Sequence, residues 1–180
     1  RRGEEIVKAS PLDWTVVRPP GVFGPRDTEI FELFRAAKWG VVPMPREGRS
    51  SLIHVADLAR LLVDLVDAGP EMLGQVYEPD DRRDGGWEHR ELAKAIGAAV
   101  GRRVFVPQFS RPTLLGFSRA DRMLRRGKAK LTADRVNYLT HPDWTCDPVK
   151  APPASFWAPR IETEAGLAET AEWYRREGWL

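Results

Sequence analysis

Chemistry is first offered by a segment punctuated with proline and glycine, Arg18-Pro19-Pro20-Gly21-Val22-Phe23-Gly24-Pro25-Arg26-Asp27. Its prolines remove backbone N–H donors and stiffen the chain. Its glycines let a ligand approach the backbone closely. A ligand loop and a plain turn both fit this composition. His54 has a side chain that titrates near neutrality and is suited to acid/base work. Flanked by Ile53 and Val55, it also suits a core position that holds a strand to a helix, and that structural reading is preferred. Phe23, Met44, Trp87, Phe109 and Phe117 could wall an apolar pocket, although aromatics so placed are more commonly core. Cys146 is the single cysteine, which excludes an internal disulfide and a multi-cysteine zinc site. His54, His89 and His141 lack metal-ligand spacing. The basic run Arg119, Arg122, Arg125, Arg126, Lys128, Lys130 could meet a phosphate group or nucleic acid. Asp121 and Asp134 dilute it and no stacking aromatics are interleaved, so a solvated helix face is expected and no nucleic-acid partner.

These residues need a frame. Glu4 to Ser10 reads as a helix end stopped by Pro11, and Trp14 to Val17 as a short buried strand. Ile30, Leu33, Phe34 and Ala37 repeat at i, i+3, i+4, i+7, predicting an amphipathic helix capped near Gly40. Val41–Pro43 and Ser51–Val55 are strand candidates around a turn-rich segment. Leu58, Leu61, Leu62, Leu65 and Val66 predict a helix, with Asp57 as its cap. Gln75–Glu78 and Val104–Val106 read as strands, and Leu92 to Val100 as a helix between them. Further helices are expected over Pro112–Arg126, Thr132–Leu139 and Glu162–Arg176, with an irregular proline-rich stretch over Cys146–Pro159. Strands alternating with helices imply βαβ units and a parallel sheet.

The 180 residues are 42% hydrophobic and 30% charged, the balance of a globular chain. The net charge of +2 does not suggest a globally basic nucleic-acid binder. The longest run without a charged residue, Ala151 to Pro159, is far below the ~20 apolar residues of a membrane span. No membrane partner is therefore expected. The lone cysteine suggests a reducing, cytoplasmic setting.

Together with Ser51-Leu52-Ile53-His54-Val55-Ala56-Asp57-Leu58-Ala59, the Arg18–Asp27 segment resembles the C-terminal half of the extended short-chain dehydrogenase/reductases, the NAD(P)-dependent epimerase/dehydratase family. That family carries R-P-x-x-V-[YF]-G-P after one strand and I-H-V-x-D-[LV]-A at a later strand-to-helix junction. The closing segments Asp147–Ala151, Trp157–Ile161, Gly166–Thr170, Trp173–Arg175 and Gly178–Leu180 are similar to its terminal pattern. The resemblance implies an α/β fold: the later part of a Rossmann-type parallel sheet plus a small, mostly helical substrate-binding lobe. Residues 1–80 would belong mainly to the sheet and 81–180 mainly to the lobe and the closing helix.

The family's G-x-x-G-x-x-G fingerprint and Y-x-x-x-K site are not found in these 180 residues: Asp81, Pro142 and Gly178 stand four positions after the three tyrosines. The opening Arg-Arg-Gly-Glu-Glu, without Met, hints at a piece of something longer, and Gly3-Glu4-Glu5-Ile6-Val7 resembles the family's helix after the catalytic lysine, which implies a chain that begins just after that lysine. The resemblance implies NAD or NADP as cofactor, requiring the other half, and a small or nucleotide-linked substrate altered at a hydroxyl or carbonyl. Pro19, Pro20 and Val22 would lie against the nicotinamide. Gly21, Phe23, Arg26 and Arg49 would face substrate. Gly21 stands where many sugar-nucleotide enzymes of the family have Asn, and Ser50 where they have Arg; Arg49 is one residue away. Arg26, beside Asp27, also fits a surface ion pair. The chain alone is expected to be inactive, and to self-associate through an exposed sheet edge. A non-catalytic assembly module of the same superfamily is the alternative.

Overall fold

The computed structural model describes residues 2–125 and 132–180. The sequence breaks into seven α-helices and nine short strands among these residues. Helix α1 (Arg2–Lys8) ends ahead of Pro11 and leads to β1 (Thr15–Val17). After Arg18-Pro19-Pro20 the backbone extends again as β2 (Gly21–Phe23), so the central part of the expected loop is a strand. The prolines bias Arg18 and Pro19 toward extension, and the Gly21 N–H donates to the Ser51 carbonyl at 3.2 Å, which starts the pairing. Helix α2 (Phe31–Lys38) follows, and Gly40 turns the chain with φ +81°.

Next come β3 (Met44–Pro45), β4 (Arg49–Ser50) and β5 (Leu52–His54), the last running directly into α3 (Val55–Val66). Strand β6 (Gln75–Tyr77) stops at Pro79. Strand β7 (Trp87–Glu88) leads into α4 (His89–Ala99), and β8 (Gln108–Phe109) into α5 (Arg111–Arg125). Helix α6 (Ala133–Leu139) is capped by the Thr132 hydroxyl, which accepts the Arg135 N–H. Strand β9 (Asp143–Trp144) and α7 (Thr163–Arg176) complete the chain. Of the basic run, Arg126, Lys128 and Lys130 lie outside the described residues.

The fold is α/β with parallel pairing dominant. β1 pairs with β6, β2 with β5 and β3 with β8, all parallel. β4 lies between antiparallel β7 and parallel β9. The strands expected at Val41–Pro43 and Val104–Val106 shrink to one bridge, Val41 to Phe105, and pairing moves on to β3 and β8. The ladder breaks at Pro107, which accepts the Met44 N–H but has no N–H of its own to return to Val42. Val42, Met44 and Arg46 donate to Phe105, Pro107 and Phe109, which leaves Pro43 and Pro45 at positions where no donor is needed.

Two apolar clusters fix the helices on this frame. Phe23, Phe34, Leu92, Ile96, Leu167 and Tyr174 join β2 to α2, α4 and α7. Ile53, Leu61 and Trp157 form the second, with Val17, Val22 and Leu58 against them. Complete burial of a side chain such as Leu61 or Ile53 stabilises by about 1.5–3 kcal/mol. Phe23, Met44 and Trp87 are therefore core. Phe109 and Phe117 stack edge to face on one another, with Phe117 exposed.

Candidate functional site

The register between β2 and β5 sets Gly21 beside Leu52, Val22 beside Ile53 and Phe23 beside His54. Both strands thus end together, with the Gly24–Asp27 turn on one and the start of α3 on the other. This is the carboxyl edge of a parallel sheet, where open α/β folds bind ligands. Gly24 is required there. Its φ is +147°, and a Cβ would lie 2.5 Å from Val55 Cγ1. At the far end of the turn, the Asp27 carboxylate accepts the N–H groups of Glu29 and Ile30, while its carbonyl accepts the Tyr174 hydroxyl at 2.6 Å. Asp27 is thus committed to the entry of α2, which replaces the surface pair expected with Arg26. Arg26 is exposed with φ +72°.

The near end is anchored by charge. The Arg18 guanidinium donates to Glu4 Oε2 at 2.6 Å and to Glu78 Oε1 at 3.2 Å. Glu78 also accepts from Lys150 Nζ and the Asp147 N–H. Burial pushes its carboxyl up, but these donors outweigh it and hold the group below the usual carboxylate range. Between the anchors, Pro19 and Gly21 are exposed and Pro20 is half-buried. They present a stiff, uncharged strip of backbone. Val22 turns toward the Ile53–Trp157 cluster and Phe23 toward the other core, as alternation along a strand demands.

His54 is 4% exposed and caps α3, its Nδ1 accepting the Ala56 N–H at 3.2 Å. Phe23 meets its ring edge-on at 5.2 Å. Burial lowers its pKa, so the ring is neutral, and Nε2 has no hydrogen-bond partner among the described residues. Its Nδ1 bond holds the end of β5 to the start of α3, the position expected for it. Asp57 differs from expectation. It is the third residue of α3 rather than its cap, because the helix begins earlier, at Val55. Its buried carboxylate accepts the N–H groups of Arg160 and Ile161 and the Arg60 guanidinium. It therefore ties α3 to the approach of α7.

Beyond β5 lies a polar cluster that the sequence reading missed. Ser51 Oγ donates to Asp80 Oδ2 at 2.6 Å and accepts the Cys146 N–H. Asp81 Oδ2 accepts from Trp87 Nε1 at 2.7 Å and Thr163 Oγ1 at 2.6 Å. Beside it opens a cavity of about 480 Å³ bordered by Ser51, Asp80, Arg82, Asp84, Cys146 and Pro152. Burial, aided by the Asp80 charge, pushes the Cys146 thiol up to about 12, so this wall offers no thiolate nucleophile. The signal was the acidic stop Glu78-Pro79-Asp80-Asp81 directly after a strand.

Arg49 stands elsewhere. It lies in β4 between Glu88 of β7 and Asp143 of β9, with Glu88 Oε1 3.7 Å from its guanidinium. With Arg46, His89 and Arg90 it borders a separate hollow of about 240 Å³. The structure thus brings Gly21, Val22 and Phe23 alongside Leu52, Ile53 and His54, keeps Arg26 exposed in the turn at that same edge, and sets Arg49 in another sheet. No group of three or more His, Cys, Asp or Glu placed to hold a metal occurs among the described residues.

No family model matches the chain. Across its whole length it is 32% identical to a ceramide reductase of Caulobacter vibrioides, covering 57% of that protein. The Bordetella bronchiseptica enzyme WbmG, solved with NAD and UDP, superposes with a TM-score of 0.67 at 16% identity, over 98% of this chain and 49% of its own. A human epimerase family protein with NADPH gives a TM-score of 0.66 at 21% identity, over 88% and 48%. UDP-glucose 4-epimerase of Thermotoga maritima gives 0.61 at 20%, over 98% and 50%. The fold is that of half an epimerase/dehydratase chain. Within such a half-fold the motifs fall in the order of the later part, with R-P-x-x-V-F-G-P on β2 and I-H-V-A-D-L-A across β5 and α3. The chain spans a little over half the length of the curated relative and about half of each solved neighbour.

Proposed function

We propose that this chain is the substrate-facing half of an NAD(P)-dependent oxidoreductase that interconverts a carbonyl and a hydroxyl group. The observation that carries the reading is the β2/β5 register, which puts the Pro19–Phe23 strip and the I-H-V junction on one edge of a fold shared with NAD- and NADPH-bound enzymes. When bound, the cofactor supplies or accepts the hydride. The residues here fit a flat nicotinamide ring: Pro19, Pro20 and Gly21 form an open, uncharged surface with no side-chain donor to compete for it. Val22, seated on the Ile53 cluster, fixes the height of that surface. Phe23 and His54 seal its floor against water. Proton transfer to the substrate oxygen belongs to a Tyr-x-x-x-Lys pair outside these 180 residues, as does pyrophosphate binding at a glycine turn.

Two substitutions argue about the substrate. Gly21 and Ser50 stand where sugar-nucleotide enzymes of this type carry Asn and Arg, so two polar handles for a nucleotide diphosphate are gone. The relative named for ceramide reduction is the more similar in sequence. We therefore favour a lipid-like carbonyl or hydroxyl substrate of the ceramide class. The test compares the 180-residue chain with a protein in which the same residues follow their own upstream reading frame. The longer protein is expected to oxidise NAD(P)H in the presence of a keto-lipid of that class, and the short chain to leave NAD(P)H unconsumed. Turnover by the short chain, or a folded longer protein that binds no NAD(P)H, overturns the reading.

A further inference from the structure

Where α2 and α4 end, the surface is apolar and basic at once. Trp39 closes α2 with 82% of its surface exposed. The chain turns at Gly40, whose carbonyl accepts the Phe105 N–H at 2.8 Å, and Val41 lies beside Phe105. Val42 and Val104 pack on the core, so by alternation Val41 and Phe105 face outward, 44% and 68% exposed. Segments 33–46 and 92–110 together hold six Lys and Arg and no Asp or Glu. Two hollows flank these apolar side chains. Lys94, Arg102 and Arg103 line one of about 530 Å³, together with Ala98, Gly101 and Val104. Lys38 and Arg102 share the other, of about 270 Å³, with Arg175 at the end of α7. No carboxylate side chain lines either hollow. Glu32 on α2 pairs with Arg35, and Glu177 after α7 with Arg176.

We propose that this end of the molecule docks on an anionic membrane surface. Trp39, Val41 and Phe105 enter the boundary between headgroups and acyl chains, and the hollow lined by Lys94, Arg102 and Arg103 takes a lipid phosphate. Charge selects this occupant. Two copies paired symmetrically through this face would set basic hollows against basic hollows. A neutral apolar partner would leave those cations unmatched. A nucleic acid would match them and stack on the aromatic rings, but would leave the aliphatic Val41 without an apolar phase to enter. The rest of a longer chain would meet the open edge of β1, whose Val17 packs on the other apolar cluster. The contact is a surface one. No helix among the described residues is long and apolar enough to cross a membrane. The sequence reading expected no membrane partner because it sought a span, and a docking surface needs none. The proposal stands on this surface and not on the reductase reading, although a ceramide-class substrate would be met at the same membrane.

Flotation with phosphatidylcholine vesicles, with and without phosphatidylglycerol, tests it on the protein in which these residues follow their own upstream reading frame. Binding is expected to the anionic vesicles and to weaken as salt rises. Trp39→Glu is expected to lower the bound fraction about tenfold, through lost apolar insertion and added repulsion. The double variant Arg102→Glu, Arg103→Glu is expected to lower it as far. These side chains are exposed, so melting curves of the variants should match the parent. No retention on anionic vesicles overturns the proposal, as does equal retention on vesicles of phosphatidylcholine alone. So does Trp39→Glu floating like the parent, a parent dimer that this substitution splits, or a parent that binds a single-stranded oligonucleotide and not the vesicles. NAD(P)H turnover on a water-soluble ketone is read separately and should be unchanged in Trp39→Glu, so failure of the reductase reading and failure of docking are distinguishable.

Discussion

At Asp57, one buried carboxylate gathers the N–H groups of residues 160 and 161 and the Arg60 guanidinium. Replacing it with Asn removes the charge and turns part of the site from acceptor to donor. Asp57→Asn is expected to cost about 3 kcal/mol, seen as a lower midpoint in chemical denaturation with an unchanged slope. A shift below ~0.5 kcal/mol would mean that the loop before α7 is held by packing alone. The sequence announced this residue but not the N–H groups it gathers, which lie more than 100 positions away in the chain. His54 and His89 carry the pH dependence. Burial lowers both pKa values below the ordinary 6.5; for His89 the carbonyls of Pro45 and Glu47 oppose the shift without cancelling it. The unfolded chain therefore takes up protons first. Stability is full above pH 6.5 and falls as the medium is acidified through and below that value, levelling once the folded histidines protonate. Thermal melts from pH 8 to pH 5.5 should show the loss. The pair His54→Asn and His89→Asn should flatten it, the Asn at 54 keeping a cap for α3.

Among the elements, β1 pairs with β6 alone among the described residues, and Ile6, Val7 and Leu12 stand exposed nearby in sequence. An open strand edge flanked by apolar side chains invites pairing with another chain. The 180-residue chain is expected to sediment as oligomers, and Leu12→Lys to shift it toward monomer. A parent chain that remains monomeric at high concentration in sedimentation velocity counts against the edge as a contact. The helices α2, α3, α4 and α7 were legible, because each carries an apolar stripe long enough to fix its period. The strands β3, β4, β7, β8 and β9 were not. Each is two residues long, and its extension is imposed by a partner segment rather than by its own composition. The same holds for β2, whose Gly21 reads as a turn until Ser51 supplies its acceptor.

For the whole molecule, the motif order was legible and the assembly of the site only partly so. The Pro19–Phe23 strip and His54 share one edge because a strand-to-strand register requires it. Arg49, close to His54 along the chain, leaves for another sheet because β4 breaks from β5 at Ser51, whose side chain turns to Asp80. That departure, and the cavity it opens, depend on residues 80–86 and 145–152 meeting in space, which no local pattern encodes. The parallel pairings also dictate an order of events during synthesis. Thr15 finds its partner only at Gln75, about 60 residues downstream. At ordinary elongation rates the ribosome needs roughly 3–12 s to deliver it. Throughout that interval the nascent β1 has no place in a sheet, so a chaperone that shields Trp14 to Val17 as they emerge would act on an apolar stretch that waits about as long as β3 does for β8.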